Sequence, residues 1–282
     1  MAGIRVVTDS AADLPTSLAG EHDIRIVPLD VRLGQWGPEE MRTIDPAEFW
    51  RRCAMTSALP ETSAPSPGAF AASYSQAADD GCEGVVCLTL SSELSSTYQS
   101  ACAGAEEVRE RIEVRVVDTR TVTLGQAMVV LATAKVATAG DLDACEAAAR
   151  EVIPRIRVFG ALDTMDNVRK GGRIGAARAL VGSLLSIKPI IEIRGEALAE
   201  SRQRTRAGSL EYLVNKLKDA GPLDGLAIAH AAAPDLEAFL EMLEGIYPRE
   251  QILINYIGPV IGTHAGPRCI GICYQLAETP DR

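Results

Sequence analysis

The sequence predicts an α/β protein of two α/β domains. The N-terminal domain is a mostly parallel sheet flanked by helices and the C-terminal one a mixed sheet with helices, with a ligand site expected between them. Three observations lead there. Short β-branched runs alternate with longer helical patterns through the first half, which is how a parallel sheet with helical crossovers reads. In the second half, two β-rich runs flank Arg194-Gly195, the mark of a hairpin and so of a mixed sheet. The length of 282 residues exceeds that of a usual single domain. We place the domains at residues 1–155 and 156–282. With no low-complexity linker and no internal repeat, they are expected to pack tightly, and the cleft between them is the default ligand site.

Strands are expected over residues 4–8, 24–33, 84–90, 114–117 and 157–162, then 187–193, 198–202, 226–230, 252–256 and 269–276, each a short run rich in Val, Ile or Leu. Helices are expected over 15–21, 46–57, 68–80, 96–109, 123–139 and 142–153, then 167–171, 176–185, 207–220 and 234–245. Terminal signals support several. Asp45 precedes Pro46 and Ser66 precedes Pro67, each pair an N-cap with proline at the first helical position. Gly81, Gly140 and Gly221 stand at or after helix ends.

Composition narrows the function. The chain carries 28 Lys and Arg against 38 Asp and Glu, a net charge of −10, which argues against a nucleic-acid surface. Aromatic residues make up 4%, too few for base-stacking platforms, so the core is aliphatic. Seven cysteines with no CxxC indicate neither a disulfide framework nor a zinc ribbon. An acid at Asp9 falls too early for a signal peptide, and no apolar run reaches about 18 residues, so a cytoplasmic protein without an integral membrane span is expected. Metal spacings, a Walker loop, GxGxxG and a GxSxG elbow are all missing.

Two hydroxyl clusters stand directly before predicted helices. Thr62-Ser63-Ala64-Pro65-Ser66-Pro67-Gly68 is stiffened by its prolines, and Ser91-Ser92-Glu93-Leu94-Ser95-Ser96-Thr97 follows a strong strand. Helix N-termini with added hydroxyls bind anions without Lys or Arg. Ser66 is explained by capping. Thr62 and Ser63 divide evenly between a solvated loop and a ligand site, while Ser95 or Ser96 can cap a helix and still present an oxygen. His264 sits between glycines in a segment read as a tight loop, the best-placed of three histidines for a proton or a hydrogen bond. Arg169-Lys170-Gly171-Gly172-Arg173-Ile174-Gly175 is a basic, glycine-rich turn able to meet a phosphate. Arg202, Arg204 and Arg206 share that character, and both read equally well as solvated surface.

Taken together these segments resemble the DegV family of bacterial fatty-acid-binding proteins. The match runs collinearly through residues 7–15, 62–68, 90–101, 117–119, 162–164, 169–174, 182–190, 204–206 and 257–267. The resemblance implies one long-chain fatty acid in an interior ligand tunnel between the two α/β domains and no other cofactor. Its carboxylate would be held by Thr62 or Ser63, by Ser95 with the neighbouring Ser96, and by His264. It further implies a separate ATP-dependent fatty acid kinase as partner, forming an acyl phosphate for phospholipid synthesis, with at most a transient contact at the membrane surface. Arg173, and with it Arg204 or Arg206, would then meet the phosphorylated state or the kinase. Where the family usually has glycine, this chain has Ser96 and Arg268. The competing expectation is an enzyme, a small-molecule phosphotransferase or hydrolase using His264 and a serine; a third is a sensor of acyl ligands.

Overall fold

The computed structural model describes residues 3–180 and 187–278. β1 (Ile4–Asp9) is buried along its whole length, as befits a central strand covered on both faces. The order β2-β1-β5-β6 is parallel throughout, joining β1 to β2 (Arg25–Val27), β5 (Gly84–Thr89) and β6 (Glu113–Asp118). The single strand expected over 24–33 is in fact two. Pro28 lacks an N–H to continue the ladder, and the chain leaves β2 to form β3 (Asp30–Arg32), which pairs antiparallel with β4 (Glu61–Ser63).

The helices of this half are α1 (Thr16–Glu21), α2 (Pro38–Met41), α3 (Pro46–Met55), α4 (Pro67–Asp79), α5 (Thr97–Val108), α6 (Thr123–Ala137) and α7 (Leu142–Val152). The anticipated caps form: Asp45 accepts from Ala47 N and Glu48 N, and Ser66 Oγ accepts from Ala69 N at 3.2 Å. α4 and α5 cover one face of the sheet around Phe70, Tyr74 and Cys87.

The second sheet has the order β11-β10-β12-β7-β8-β9 and is mixed. β7 (Ile156–Ala161), β8 (Lys188–Arg194), β9 (Glu196–Gln203) and β12 (Ile270–Leu276) pair antiparallel, while β10 (Leu223–His230) and β11 (Ile252–Tyr256) run parallel. The hairpin expected at Arg194-Gly195 is β8–β9, with Gly195 at φ +78. α8 (Asp166–Lys170), α9 (Arg206–Asp219), α10 (Leu236–Glu241) and α11 (Pro259–Ala265) complete the fold. Part of the helix expected over 176–185 is a 3-10 turn, Gly175–Leu180, held where Ala176 N reaches Glu196 Oε2; residues 181–185 lie outside the described residues.

α11 replaces the loop expected around His264. Gly258 precedes Pro259 at the first helical position, and Gly266 at φ +74 ends the helix. Gly262 inside it reads as a helix breaker, but a side chain there would collide with the Trp50 ring. Tertiary packing therefore selects both the helix and its glycine.

α6 is apolar on nearly every face and lies between the two sheets, touching β1 and β5 on one side and β7, β10 and β12 on the other. One hydrophobic core consequently runs from Ile4 and Val6 through Leu124 and Val130 to Val158 and Ala229. The two halves share a core rather than a hinge.

Candidate functional site

A cavity of about 870 Å³, its mouth included, lies where the two sheets face each other. Its wall is aliphatic over most of its extent, with Val122, Val158, Leu162, Ile191, Ala229 and Ile257 among the contributors. Of its polar side chains, Thr62, Ser95, Arg173 and His264 gather at one end, while Thr123 donates its hydroxyl proton to Asp13. An amphipathic cavity of this kind accommodates a long apolar molecule with one polar head.

Thr62 arrives from β4. In a strand alternate residues face opposite sides, so Thr62 turns inward while Ser63 is exposed. Thr62 Oγ1 lies 3.1 Å from His264 Nε2, joining residues 202 positions apart. His264 Nδ1 is buried without a hydrogen-bond partner. A buried N–H without an acceptor costs more than a bare lone pair, which favours the tautomer with its proton on Nε2. Nε2–H then donates to Thr62 Oγ1, and the threonine O–H is left free to donate into the cavity. Ser95 Oγ accepts from Thr97 N at 3.3 Å and lies 2.9 Å from Thr97 Oγ1; when the threonine is the donor of that pair, the Ser95 proton is free as well. The Ser95 hydroxyl sits beside the N-terminus of α5, whose first N–H groups carry partial positive charge.

Burial pushes the His264 imidazole down to about 4, and the Arg173 guanidinium adds to the shift. The ring is thus neutral at pH 7, and Arg173 is the cation of the polar end. Arg173 is held across the mouth, donating from Nε to Leu94 O at 3.2 Å and from Nη1 to Gly171 O at 2.8 Å. It is exposed, so the polar end reaches the surface. This donor-rich end can hold an acceptor-only group such as a carboxylate. The pairing expected of a hydrolase, His264 with a serine, is not what forms: His264 Nε2 meets Thr62 Oγ1, and Nδ1 is without a partner.

Of the residues singled out from sequence, Thr62, Ser95, His264 and Arg173 converge on one cavity end, whereas Ser63, Ser96, Arg204 and Arg206 do not line it. Ser96 is exposed and makes no capping bond to α5. Arg204 is exposed beyond the end of β9. Arg206 is engaged in a two-pronged pair with Asp235, Nε to Oδ2 at 2.7 Å and Nη2 to Oδ1 at 3.0 Å. In the serine cluster, Ser91 Oγ donates to Gly195 O and Ser92 Oγ donates to Asp118 at 2.6 Å, so these two tie the loop in place.

Sequence reasoning passed over the residues that hold this constellation together. Asp9 fixes the start of the serine loop by accepting from Leu90 N at 2.8 Å. Asp13 spans the two halves: Oδ1 accepts from Gly258 N at 2.9 Å, at the start of the His264 helix, and Oδ2 accepts from Thr123 Oγ1 at 2.6 Å, at the start of α6. Burial pushes both carboxyls up, Asp9 to about 6 and Asp13 to about 7. Arg5, Thr8 and Ser10 stand among the apolar residues of 4–14, so nothing local marks these two acids as buried. Gly171 packs flat against the His264 ring, and Asn167 Nδ2 donates to Thr263 O at 3.1 Å. Among the described residues no group of His, Cys, Asp and Glu could hold a metal, and no helix is long and apolar enough to cross a membrane.

The chain is similar to known proteins over nearly its whole length. A family model described as an uncharacterised protein of the DegV family matches residues 3–277. A DegV domain-containing protein of Streptomyces coelicolor is 36% identical over 277 residues, spanning 95% of this chain and 97% of that protein. One from Mycobacterium tuberculosis is 32% identical over 285 residues, spanning 98% of each. Among solved structures, a fatty-acid-binding DegV family protein from Thermus thermophilus superposes with a TM-score of 0.85 at 31% identity, covering 98% of this chain and 100% of that one. DegV of Bacillus subtilis, a fatty acid binding protein, gives 0.84 at 28% identity, covering 98% and 100%.

Proposed function

The chain belongs to the DegV family, and on that premise we propose that it carries one long-chain fatty acid in the cavity between its sheets and presents the carboxylate to a separate fatty acid kinase. The observation that carries this reading is the division of one cavity into a long aliphatic wall and a single donor-rich end at Thr62, Ser95, His264 and Arg173. The structural relatives described as fatty-acid-binding support it.

The chemistry divides between the two ends. Each buried methylene contributes about 0.8 kcal/mol, so ten of them offer roughly 8 kcal/mol before the entropy of ordering the chain is subtracted. Affinity therefore comes chiefly from the tail. The head group is oriented by the Thr62 and Ser95 hydroxyls and balanced by Arg173, with His264 neutral at pH 7. Because the arginine is exposed, a kinase could reach the carboxylate without the tail leaving the cavity. The reading places the protein in the cytoplasm, where phospholipid synthesis would consume the acyl phosphate.

The test is extraction of lipid from the natively purified protein, quantified by mass spectrometry. One long-chain fatty acid per chain is expected. Delipidated protein that is then incubated with a fatty acid kinase and ATP should yield acyl phosphate, and should yield none without the kinase. Lipid below a tenth of an equivalent, or turnover by the isolated chain, would count against the carrier reading.

A further inference from the structure

The cavity floor is the inner face of the second sheet, where a transverse row runs through paired positions: Ala229 opposite Gly271, Gly271 opposite Gly160, and Gly160 opposite Ile191. All four line the cavity. A glycine inside a strand forfeits packing and costs chain entropy, and needs a reason. Most buried glycines among the described residues have one. A side chain would collide with Trp50 at Gly262, with Val158 at Gly125 and with the Pro67 backbone at Gly104. Gly160 and Gly271 have none of this kind. Neither has a positive φ. A methyl at Gly160 would lie 3.6 Å from Ile191 Cγ1 and 3.7 Å from Cys269 Sγ, and one at Gly271 would lie 3.4 Å from Phe159 O and 3.9 Å from Ala229 Cβ, all ordinary contacts. The protein's own atoms leave room for alanine at both positions.

We infer that the space above Gly160 and Gly271 is reserved for the ligand: the acyl chain crosses the second sheet over this pair, and the two missing side chains set how far into the cavity a chain can extend. The placement along β7 agrees. Leu162 stands next to the segment leading to α8 and the polar end, Gly160 is two residues deeper, and Val158, against which α6 closes the cavity, is two deeper again. At about 3.3 Å per residue the pair lies roughly 7 Å beyond Leu162, so a methyl there obstructs the distal part of a long chain and not its head. This inference rests on the carrier reading and identifies the determinant of chain length within it.

The test compares wild type with Gly160→Ala, Gly271→Ala and Gly160→Val, each delipidated. Thermal unfolding of the ligand-free proteins is measured alongside binding of octanoate and hexadecanoate. The alanine variants should unfold no earlier than wild type, since the methyl meets no clash and alanine restricts the unfolded chain. Their affinity for hexadecanoate should fall at least tenfold and for octanoate less than threefold, with a larger hexadecanoate loss for Gly160→Val, and the fatty acids that co-purify should shift to shorter chains. Hexadecanoate binding within twofold of wild type in both alanine variants overturns the inference while leaving the carrier reading intact. So does an equal loss for both acids. A wild-type protein that binds neither acid overturns both.

Discussion

Replacing Gly171 by alanine gives a sharp test of how the polar end is assembled. The new methyl would stand 2.8 Å from His264 Cε1 and nearer still to Nδ1, and 3.1 Å from Asn167 O. Restoring an ordinary contact of about 3.4 Å requires the ring to retreat by roughly 0.6 Å or more at Cε1. The ring has little room, because α11 is fixed at its start by Asp13 and near its end by Asn167. The 3.1 Å approach of Nε2 to Thr62 Oγ1 should therefore be lost, and with it the orientation of the threonine hydroxyl. A hydrogen bond to a charged group contributes about 1.5–3 kcal/mol, so fatty acid affinity should drop roughly tenfold to a hundredfold. Overpacking should also destabilise the fold by about 1–3 kcal/mol. The assay is a double-mutant cycle on fatty acid affinity with Gly171→Ala, His264→Ala and the pair. If the glycine acts through the ring, adding Gly171→Ala to His264→Ala should change affinity less than threefold. Strictly additive effects, or wild-type affinity in Gly171→Ala, would refute the reasoning.

Other outcomes follow from the buried charges and from one strained residue. The Asp13 carboxyl is raised from 3.8 to about 7 by burial, so the folded state holds a proton that the unfolded state releases, and stability is lost as pH rises from about 4 through about 7. At 1.36 kcal/mol per unit the loss is on the order of 4 kcal/mol. Asp13→Asn cannot ionise, so urea unfolding at pH 4.5 and 7.5 should show it gaining on wild type as pH rises; parallel curves would contradict this. His264 works in the opposite sense: its value lies below that of the unfolded chain, and it weakens the fold as pH falls from 6.5 towards 4. Arg173→Ala removes the neighbouring cation but not the burial, so NMR titration of His264 should show its pKa raised above about 4 yet still below 6.5. A pKa unchanged by the substitution would place the guanidinium away from the ring. Arg268 occupies a left-handed conformation at φ +63, where glycine is at ease, and its 3.9 Å approach to Asp163 is too long and exposed to contribute much. Arg268→Gly should leave thermal stability unchanged or raise it by up to about 1 kcal/mol; a loss larger than that would show that the ion pair matters.

Much of the architecture was readable because it rests on local signals. The strand runs at 84–90 and 252–256, the hairpin at Gly195 and the caps at Asp45 and Ser66 depend only on neighbouring residues. Elements that depend on distant partners read wrongly. α11 carries Gly258, Gly262 and Gly266 and looks like a loop until Trp50 is set against it. β4 is three residues long and exists only through β3, so Thr62 passed for a residue at a helix N-terminus. The site divides in the same way. Ser95 was accessible as part of a capping pattern, whereas the meeting of Thr62 with His264 has no local cause and was anticipated only through the family resemblance. Asp13 and Gly171 act by contact across the fold, a role that their own sequence neighbourhoods do not reveal.

The most direct test of the central claim is a crystal structure of the natively purified protein at a resolution that shows the bound lipid. The carrier account predicts continuous tubular density with its carboxylate within hydrogen-bond distance of Thr62 Oγ1 and Ser95 Oγ, and with its tail passing over Gly160 and Gly271. A cavity holding only water, or a fatty acid whose carboxylate points away from His264, would contradict it.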